Sequence, residues 1–381
     1  MTAFQTFFLA GFECSTQLRA DGRRLDLLRS TGHDLHTLDD YRAVAEHGIG
    51  TVRDGLRWHL IERSPGSYHW DSFFPMLHAA QEAGTQVIWD LCHYGWPEDL
   101  DIWSDAFPER LAGFAHEAAG LIDRETGQAP FLCPVNEISF WAWAGGEVGR
   151  FGPSRTGQGA ALKRQLVRAA IAATRAARNA APTARFICAE PLIHVDPGSH
   201  DDPAHVAGAT GHRESQFEAL DLLTGRQEPE LGGSEDCLDI LGVNFYSDNQ
   251  WYHGGSTIPL GHHAYRPLHE MLQEVSQRYR RPVLIAETGA EGSGRASWLH
   301  YVCGEVRAAM AAGVQVEGIC LYPILDYHGW ENDRVCTTGL LSAADASGVR
   351  RVHEPLAEEL RAQIIRFASV PEIRDRFEAA A

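Results

Sequence analysis

A (β/α)8 barrel is the fold this sequence predicts, and three observations predict it. Eight short, nearly continuous apolar runs recur along the 381 residues: Phe7–Glu13, Thr51–Trp58, Gln86–His93, Pro130–Asn136, Arg185–Glu190, Leu238–Tyr246, Pro282–Glu287 and Glu317–Tyr322. Such runs are expected of parallel strands covered on both faces. Longer amphipathic stretches alternate with them, at Leu38–His47, Ser72–Gly84, Pro108–Arg124, Gly159–Asn179, Glu214–Leu223, Leu268–Tyr279, Arg295–Gly313 and His353–Phe367. The third observation is negative. No Gly-rich phosphate turn follows the first run, where Gly11-Phe12-Glu13-Cys14-Ser15 stands, and this disfavours an open doubly wound sheet. Eight βα units of this spacing close most simply into a barrel. No linker divides the chain, so one barrel over residues 1–381 is expected.

Local signals agree with the pattern. Thr37 reads as a helix N-cap before Leu38-Asp39-Asp40. Gly48, Gly84 and Gly313 fall where a left-handed residue ends a helix. Of the irregular stretches Gly22–His36, Gly145–Gly157, Pro191–Gly211, Asn249–Ala264 and Pro323–Val352, four follow candidate strands and so gather at the C-terminal face, where barrel enzymes build their sites.

Composition narrows the partners. With 33 Lys and Arg against 51 Asp and Glu, the net charge is −18, which argues against nucleic acid and against an anionic membrane surface. No apolar run approaches the roughly 18–20 residues of a membrane helix, and the N-terminal stretch lacks the basic region of a secretory signal. The eight cysteines form no CxxC pair and sit mostly in apolar runs, as expected of reduced, buried thiols in the cytoplasm.

Two carboxylates close apolar strands: Glu137, after Phe131-Leu132-Cys133-Pro134-Val135-Asn136, and Glu287, after Val283-Leu284-Ile285-Ala286. A strand-end glutamate is expensive to bury without a reason. Strands four and seven can face each other across a barrel mouth, the arrangement glycoside hydrolysis uses, with carboxyls about 5–5.5 Å apart when configuration is retained.

Asn136-Glu137 and Ile285-Ala286-Glu287-Thr288-Gly289 resemble the acid/base and nucleophile signatures of the retaining β-glycosidases of clan A, and most closely glycoside hydrolase family 1, the β-glucosidase family. The resemblance recurs in order along nearly the whole chain. Gly11–Gln17 is similar to the first strand, which ends in a sugar-binding Gln (Gln17). Val52–Trp58 is similar to the second, whose Arg (Arg53) supports the nucleophile. Leu91–Pro97 resembles the third, whose His (His93) binds a sugar hydroxyl. Gly242–Tyr246 resembles the sixth, whose Tyr (Tyr246) bonds the nucleophile, and Leu321–Trp330 the eighth and its loop.

The resemblance implies a terminal β-linked sugar as substrate, a β-glucoside first, with no metal or organic cofactor. Glu287 would attack the anomeric carbon and Glu137 would protonate the leaving oxygen. Arg53, with Arg57 beside it, would hold Glu287 ionised, and Asn136 would bond the 2-hydroxyl. Three departures stand out. Ile138 replaces the usual Pro, and Tyr322 stands where a platform Trp is usual. Gly329 takes the place of a hydroxyl-reading Glu, for which Glu331 or Asn332 could substitute. Among the tryptophans assigned to the C-terminal face, Trp143 and Trp330 are the candidate sugar platforms, whereas Trp58 and Trp89 read as core. The histidine clusters, His33 with His36 among them, show neither HxH nor HExxH and read as loop residues. Transglycosylation by the same pair, a sugar-binding barrel without catalysis, and a metal-dependent barrel hydrolase remain the alternatives.

Overall fold

The structure, a computed structural model, describes residues 3–345 and 347–370. The single-barrel expectation for 1–2, 346 and 371–381 lies outside them. All eight expected strands form: β1 (Phe8–Gly11), β2 (Thr51–Gly55), β3 (Gln86–Asp90), β4 (Phe131–Cys133), β5 (Arg185–Pro191), β6 (Ile240–Asn244), β7 (Val283–Thr288) and β8 (Val316–Leu321). They pair in parallel in chain order, and β1 pairs with both β2 and β8, closing the barrel. Alternate strand residues turn inward: Leu9, Ile88, Ile187, Ala189, Leu284 and Ala286 belong to one interior cluster. The opposite faces pack under the helices α1 (His33–Ala45), α2 (Phe74–Ala83), α3 (Ala106–Thr126), α4 (Gly159–Ala180), α5 (Glu218–Leu223), α6 (Leu268–Tyr279), α7 (Arg295–Ala311) and α8 (Glu354–Ala368). Trp58 and Trp89 are buried in that layer.

Gly48, Gly84 and Gly313 take the left-handed backbone, with φ of 79°, 67° and 90°. Two local expectations fail. Pro191–Gly211 is not wholly irregular, because a helix spans Pro203–Glu214. Asp202 caps it by accepting from the Ala204 N–H at 2.9 Å, and Pro203 opens it. Thr37 is not an N-cap either. Helix α1 already begins at His33 and is kinked at His36, and the Thr37 hydroxyl donates back to the His33 carbonyl at 2.7 Å.

The reason for the early start is His33 itself, a buried helical residue and not a loop histidine. Its Nδ1 lies 2.7 Å from Asp40 and its Nε2 2.8 Å from Asp54, with Phe12 stacked on the ring at 3.8 Å. Arg350, from the loop after β8, also pairs with Asp40. Burial opposes a charge on His33, but Asp54 and Asp40 outweigh it and push the ring up to about 9 from 6.5. A group raised in the folded state stabilises below its unfolded value, and the benefit is lost as pH rises through the folded one. Folding stability is therefore expected to drop by about 3 kcal/mol between pH 6.5 and 9 from this group. Urea unfolding across that range should show the drop in the wild type and not in His33→Gln; equal slopes would refute it.

Among the described residues no helix is long and apolar enough to cross a membrane. The eight cysteines are free and buried.

Candidate active site

Glu137 and Glu287 are each delivered to the C-terminal mouth by a local irregularity. Leu284 and Ala286 point into the barrel, so an unbroken β7 would turn Glu287 outward. Between Ile285 and Glu287 the register against β6 shifts, a bulge that re-aims the carboxylate. After β4, Glu137 adopts left-handed backbone (φ 44°, ψ 59°), which strains a non-glycine residue by roughly 1–2 kcal/mol. Its N–H donates to the Ala189 carbonyl at 2.9 Å, and the Ser139 N–H donates to Glu190 at 3.0 Å, fixing the turn from β5. Tyr94, after β3, is also left-handed (φ 63°), and its hydroxyl donates to Glu137 Oε2.

One hydrogen-bond network joins the two carboxylates. Arg53 donates to Glu287 Oε1 at 2.8 Å, to both oxygens of Asp90 at 2.9 and 2.7 Å, and to Asn136 Oδ1 at 2.6 Å. Tyr246 donates to Glu287 Oε2 at 2.9 Å. Because Asn136 Oδ1 faces Arg53, its Nδ2 donates to His93 Nε2 at 3.0 Å and to the Tyr94 hydroxyl at 3.1 Å. His93 therefore carries its proton on Nδ1 and donates it to Asp90 at 2.8 Å. Asn244 completes the network, donating to Glu137 Oε1 at 2.9 Å.

The two carboxyls experience different surroundings. Burial raises Glu287, the Arg53 guanidinium draws it back and the Glu137 charge adds to the rise, leaving it at about 7. Glu137 is raised by burial, with the Tyr94 and Asn244 hydrogen bonds opposing and the charge of Glu190 adding. Among the described residues no cation hydrogen-bonds to Glu137. Both carboxyls are thus raised by burial, but only Glu287 is held by a cation.

Of the other residues expected here, Arg53, Tyr246, His93 and Asn136 converge as described. Tyr322 is buried with its ring parallel to His93 at 6.2 Å, and its hydroxyl has no partner. Gln17, Trp330 and Glu331 line a neighbouring hollow of about 280 Å³ with Phe140, Arg150 and Phe151. Gln17 Oε1 and Trp330 Nε1 are buried there without a partner, as polar groups awaiting a ligand are. Trp330 meets Tyr94 edge-on at 5.4 Å. Trp143 lies at the outer rim, 43 % exposed, with Arg150 over its ring at 5.7 Å, and Glu331 pairs with that same Arg150. Arg57 does not reach Glu287: past β2 it opens a short helix and pairs with Asp26 and Asp34 at 3.2 and 2.9 Å.

Five functional candidates had no role in the sequence reading: Glu13, Asp90, Tyr94, Glu190 and Asn244. Glu13 and Glu190 carried the same signal as Glu137, an acidic residue at the end of an apolar run, whereas Asp90 lies inside its run. Cys14, Asp90 and His93 are the one group among the described residues with metal-ligand spacing. Their donors suit a hydrogen-bonded cluster better. Arg53 occupies both Asp90 oxygens, and burial with the nearby carboxylates pushes the Cys14 thiol well above its ordinary range.

No protein-family model matches the sequence, and no curated protein matches it. The fold is a (β/α)8 barrel similar to those of solved β-glucosidases. A family 1 β-glucosidase from Thermotoga maritima superposes with a TM-score of 0.78 at 14 % identity, covering 94 % of this chain and 97 % of that one. A β-glucosidase from the same organism in complex with glucoimidazole gives 0.73 at 15 %, covering 87 % of each chain. A complex with castanospermine gives 0.73 at 14 %, covering 95 % and 98 %. At such identity the likeness is one of fold.

Proposed function

We propose that the protein is a retaining β-glycosidase that releases a terminal β-linked sugar, a β-glucoside first, by double displacement. The observation that carries this reading is the linked pair of buried strand-end glutamates, one clamped by Arg53 and Tyr246 and the other with no hydrogen-bonded cation among the described residues. Glu287 forms a bond to the anomeric carbon as the glycosidic C–O bond breaks, and Glu137 gives its proton to the departing oxygen. Glu137, now a carboxylate, takes a proton from water as that water displaces Glu287 from the same carbon. Two inversions retain the β configuration. A sugar acceptor in place of water uses the same steps. The likeness to barrels crystallised with glucoimidazole and castanospermine supports a sugar ligand, and eight free, buried thiols fit a cytoplasmic setting.

Release of p-nitrophenol from a panel of p-nitrophenyl β-glycosides, with proton NMR of the first-formed sugar, tests the proposal. Turnover with a β-anomer as initial product is expected. An α-anomer would mean inversion, and no release from any sugar would leave a barrel that binds without cutting.

The pH profile adds a second expectation. The active form holds one proton on the pair, so kcat/KM is bell-shaped. Both limbs should lie above the ordinary carboxyl value of 4.5, because burial raises both groups. Glu190→Gln removes a charge that raises Glu137, so its alkaline limb should move to lower pH. An unmoved limb in that variant would show that Glu190 does not set the proton affinity.

A further inference from the structure

We infer that Glu13 accepts hydrogen bonds from the sugar hydroxyls remote from the anomeric carbon, so that it determines specificity and the substrate carries an uncharged glycon. The inference rests on the glycosidase reading and deepens it. Three buried carboxylates besides the reacting pair stand around the mouth. Asp90 is occupied by Arg53 and His93, and Glu190, whose Oε1 is also buried without a partner, is tied through its other oxygen to the Ser139 turn beside β5. Glu13 differs. It follows β1, is 6 % exposed, and among the described residues is hydrogen-bonded by Ser15 alone, whose N–H lies 3.0 Å from Oε1. The basic group that faces it among the described residues is His93, whose Nε2 is 3.9 Å away and already accepts from Asn136. A carboxylate has about four acceptor positions, so Glu13 keeps acceptor capacity that no donor among the described residues uses.

Its direction and its place in the ring define what it meets. The charge of Glu13 acts on Glu287, Tyr94, Tyr246 and Tyr322, all groups of the mouth. Strand β1 lies between β2 and β8, across the barrel from β4 and β5. Glu137, after β4, must stand at the glycosidic oxygen, and Glu287 on β7 at the anomeric carbon. The body of the sugar therefore extends towards β1, which brings the C3 and C4 hydroxyls to Glu13. Two neighbours have the same unmet need: Gln17 Oε1 and the Tyr322 hydroxyl, on residues 1 % and 2 % exposed, are buried without partners. Position 329 cannot supply the acceptor. A Cβ there would stand 3.1 and 3.2 Å from the Asn332 carbonyl and side-chain oxygens, facing back into its own hairpin. Nor is the mouth suited to an anionic sugar. Glu13, Asp90 and Glu287 outnumber Arg53, and a uronic acid or sugar phosphate would add to the excess.

A substrate–variant cycle tests this. The kcat/KM of wild type, Glu13→Gln and Glu13→Ala is measured on p-nitrophenyl β-glucoside, on its 3-deoxy and 4-deoxy analogues and on p-nitrophenyl β-glucuronide. Removing a hydroxyl should lower the wild-type value roughly 10- to 100-fold, as losing a bond to a charged partner does. Glu13→Ala should lose as much on the parent glucoside and nothing further on a deoxy analogue. Equal losses from Glu13→Ala on parent and deoxy substrates would reduce Glu13 to a structural role, and a glucuronide cleaved as fast as the glucoside would overturn the substrate class. If the wild type cleaves no glycoside, the glycosidase reading fails, and calorimetry with glucoimidazole decides the inference alone. Binding weakened at least 10-fold in Glu13→Gln supports it, and binding that is unchanged or absent overturns it.

Discussion

Glu287→Ala is expected to lower kcat/KM by at least roughly 10⁴-fold, and Glu137→Ala by roughly 10²- to 10⁴-fold, on the scale of nucleophile and acid–base deletions. The difference follows from what each carboxylate contributes. On the proposed double displacement, no glycosyl-enzyme forms without Glu287 whatever the leaving group. Without Glu137 a dinitrophenolate, which needs no proton, still departs, and the loss falls on attack by water. Azide separates the two roles. In Glu137→Ala it enters the space left by the side chain and attacks the glycosyl-enzyme, giving the β-glycosyl azide. In Glu287→Ala it attacks the substrate from the face that Glu287 occupied and gives the α-azide. Product NMR reads both outcomes, and an α-azide from Glu137→Ala would reverse the assignment.

The architecture was legible in the sequence because a parallel barrel strand is buried on both faces and leaves an uninterrupted apolar run. All eight runs became strands, and the glycines past α1, α2 and α7 took the conformation that only a helix end asks of them. What the runs do not encode is which way a side chain points at their ends. Glu287 faces the mouth through a bulge in β7, and Glu137 through a left-handed turn held by β5. Neither device leaves a pattern in a period-two reading. The partners escaped for a related reason. Arg57 and Arg53 are four residues apart and chemically alike, but one lies on β2 and the other past its end, among Asp26 and Asp34. His33 was hidden because both of its carboxylates are distant or belong to its own helix, and only packing brings Asp54 beneath it.

Arg53→Met is expected to destabilise the fold by about 3–5 kcal/mol and to abolish turnover together, since breaking a buried ion cluster leaves its carboxylates uncompensated. The guanidinium is 1 % exposed and holds Glu287, Asp90 and Asn136 at once. Asp90, also buried, is kept below its ordinary range by Arg53 and His93. Without the guanidinium its carboxyl rises, and Glu287, already at about 7, binds a proton at neutral pH and ceases to be a nucleophile. The sign of the pH effect follows. Carboxyls raised in the folded state favour folding at low pH and oppose it as pH rises. The stability gap between Arg53→Met and wild type should therefore narrow from pH 8 to pH 5 in urea unfolding. Arg53→Lys sharpens the argument, because an ammonium restores the charge without the planar fork. It should recover much of the stability but little of kcat, since one point charge cannot orient Glu287, Asp90 and Asn136 together. Full activity in Arg53→Lys would mean that charge alone holds the nucleophile ready, and a gap that stays constant from pH 8 to 5 would mean that the two carboxylates are not what the arginine stabilises.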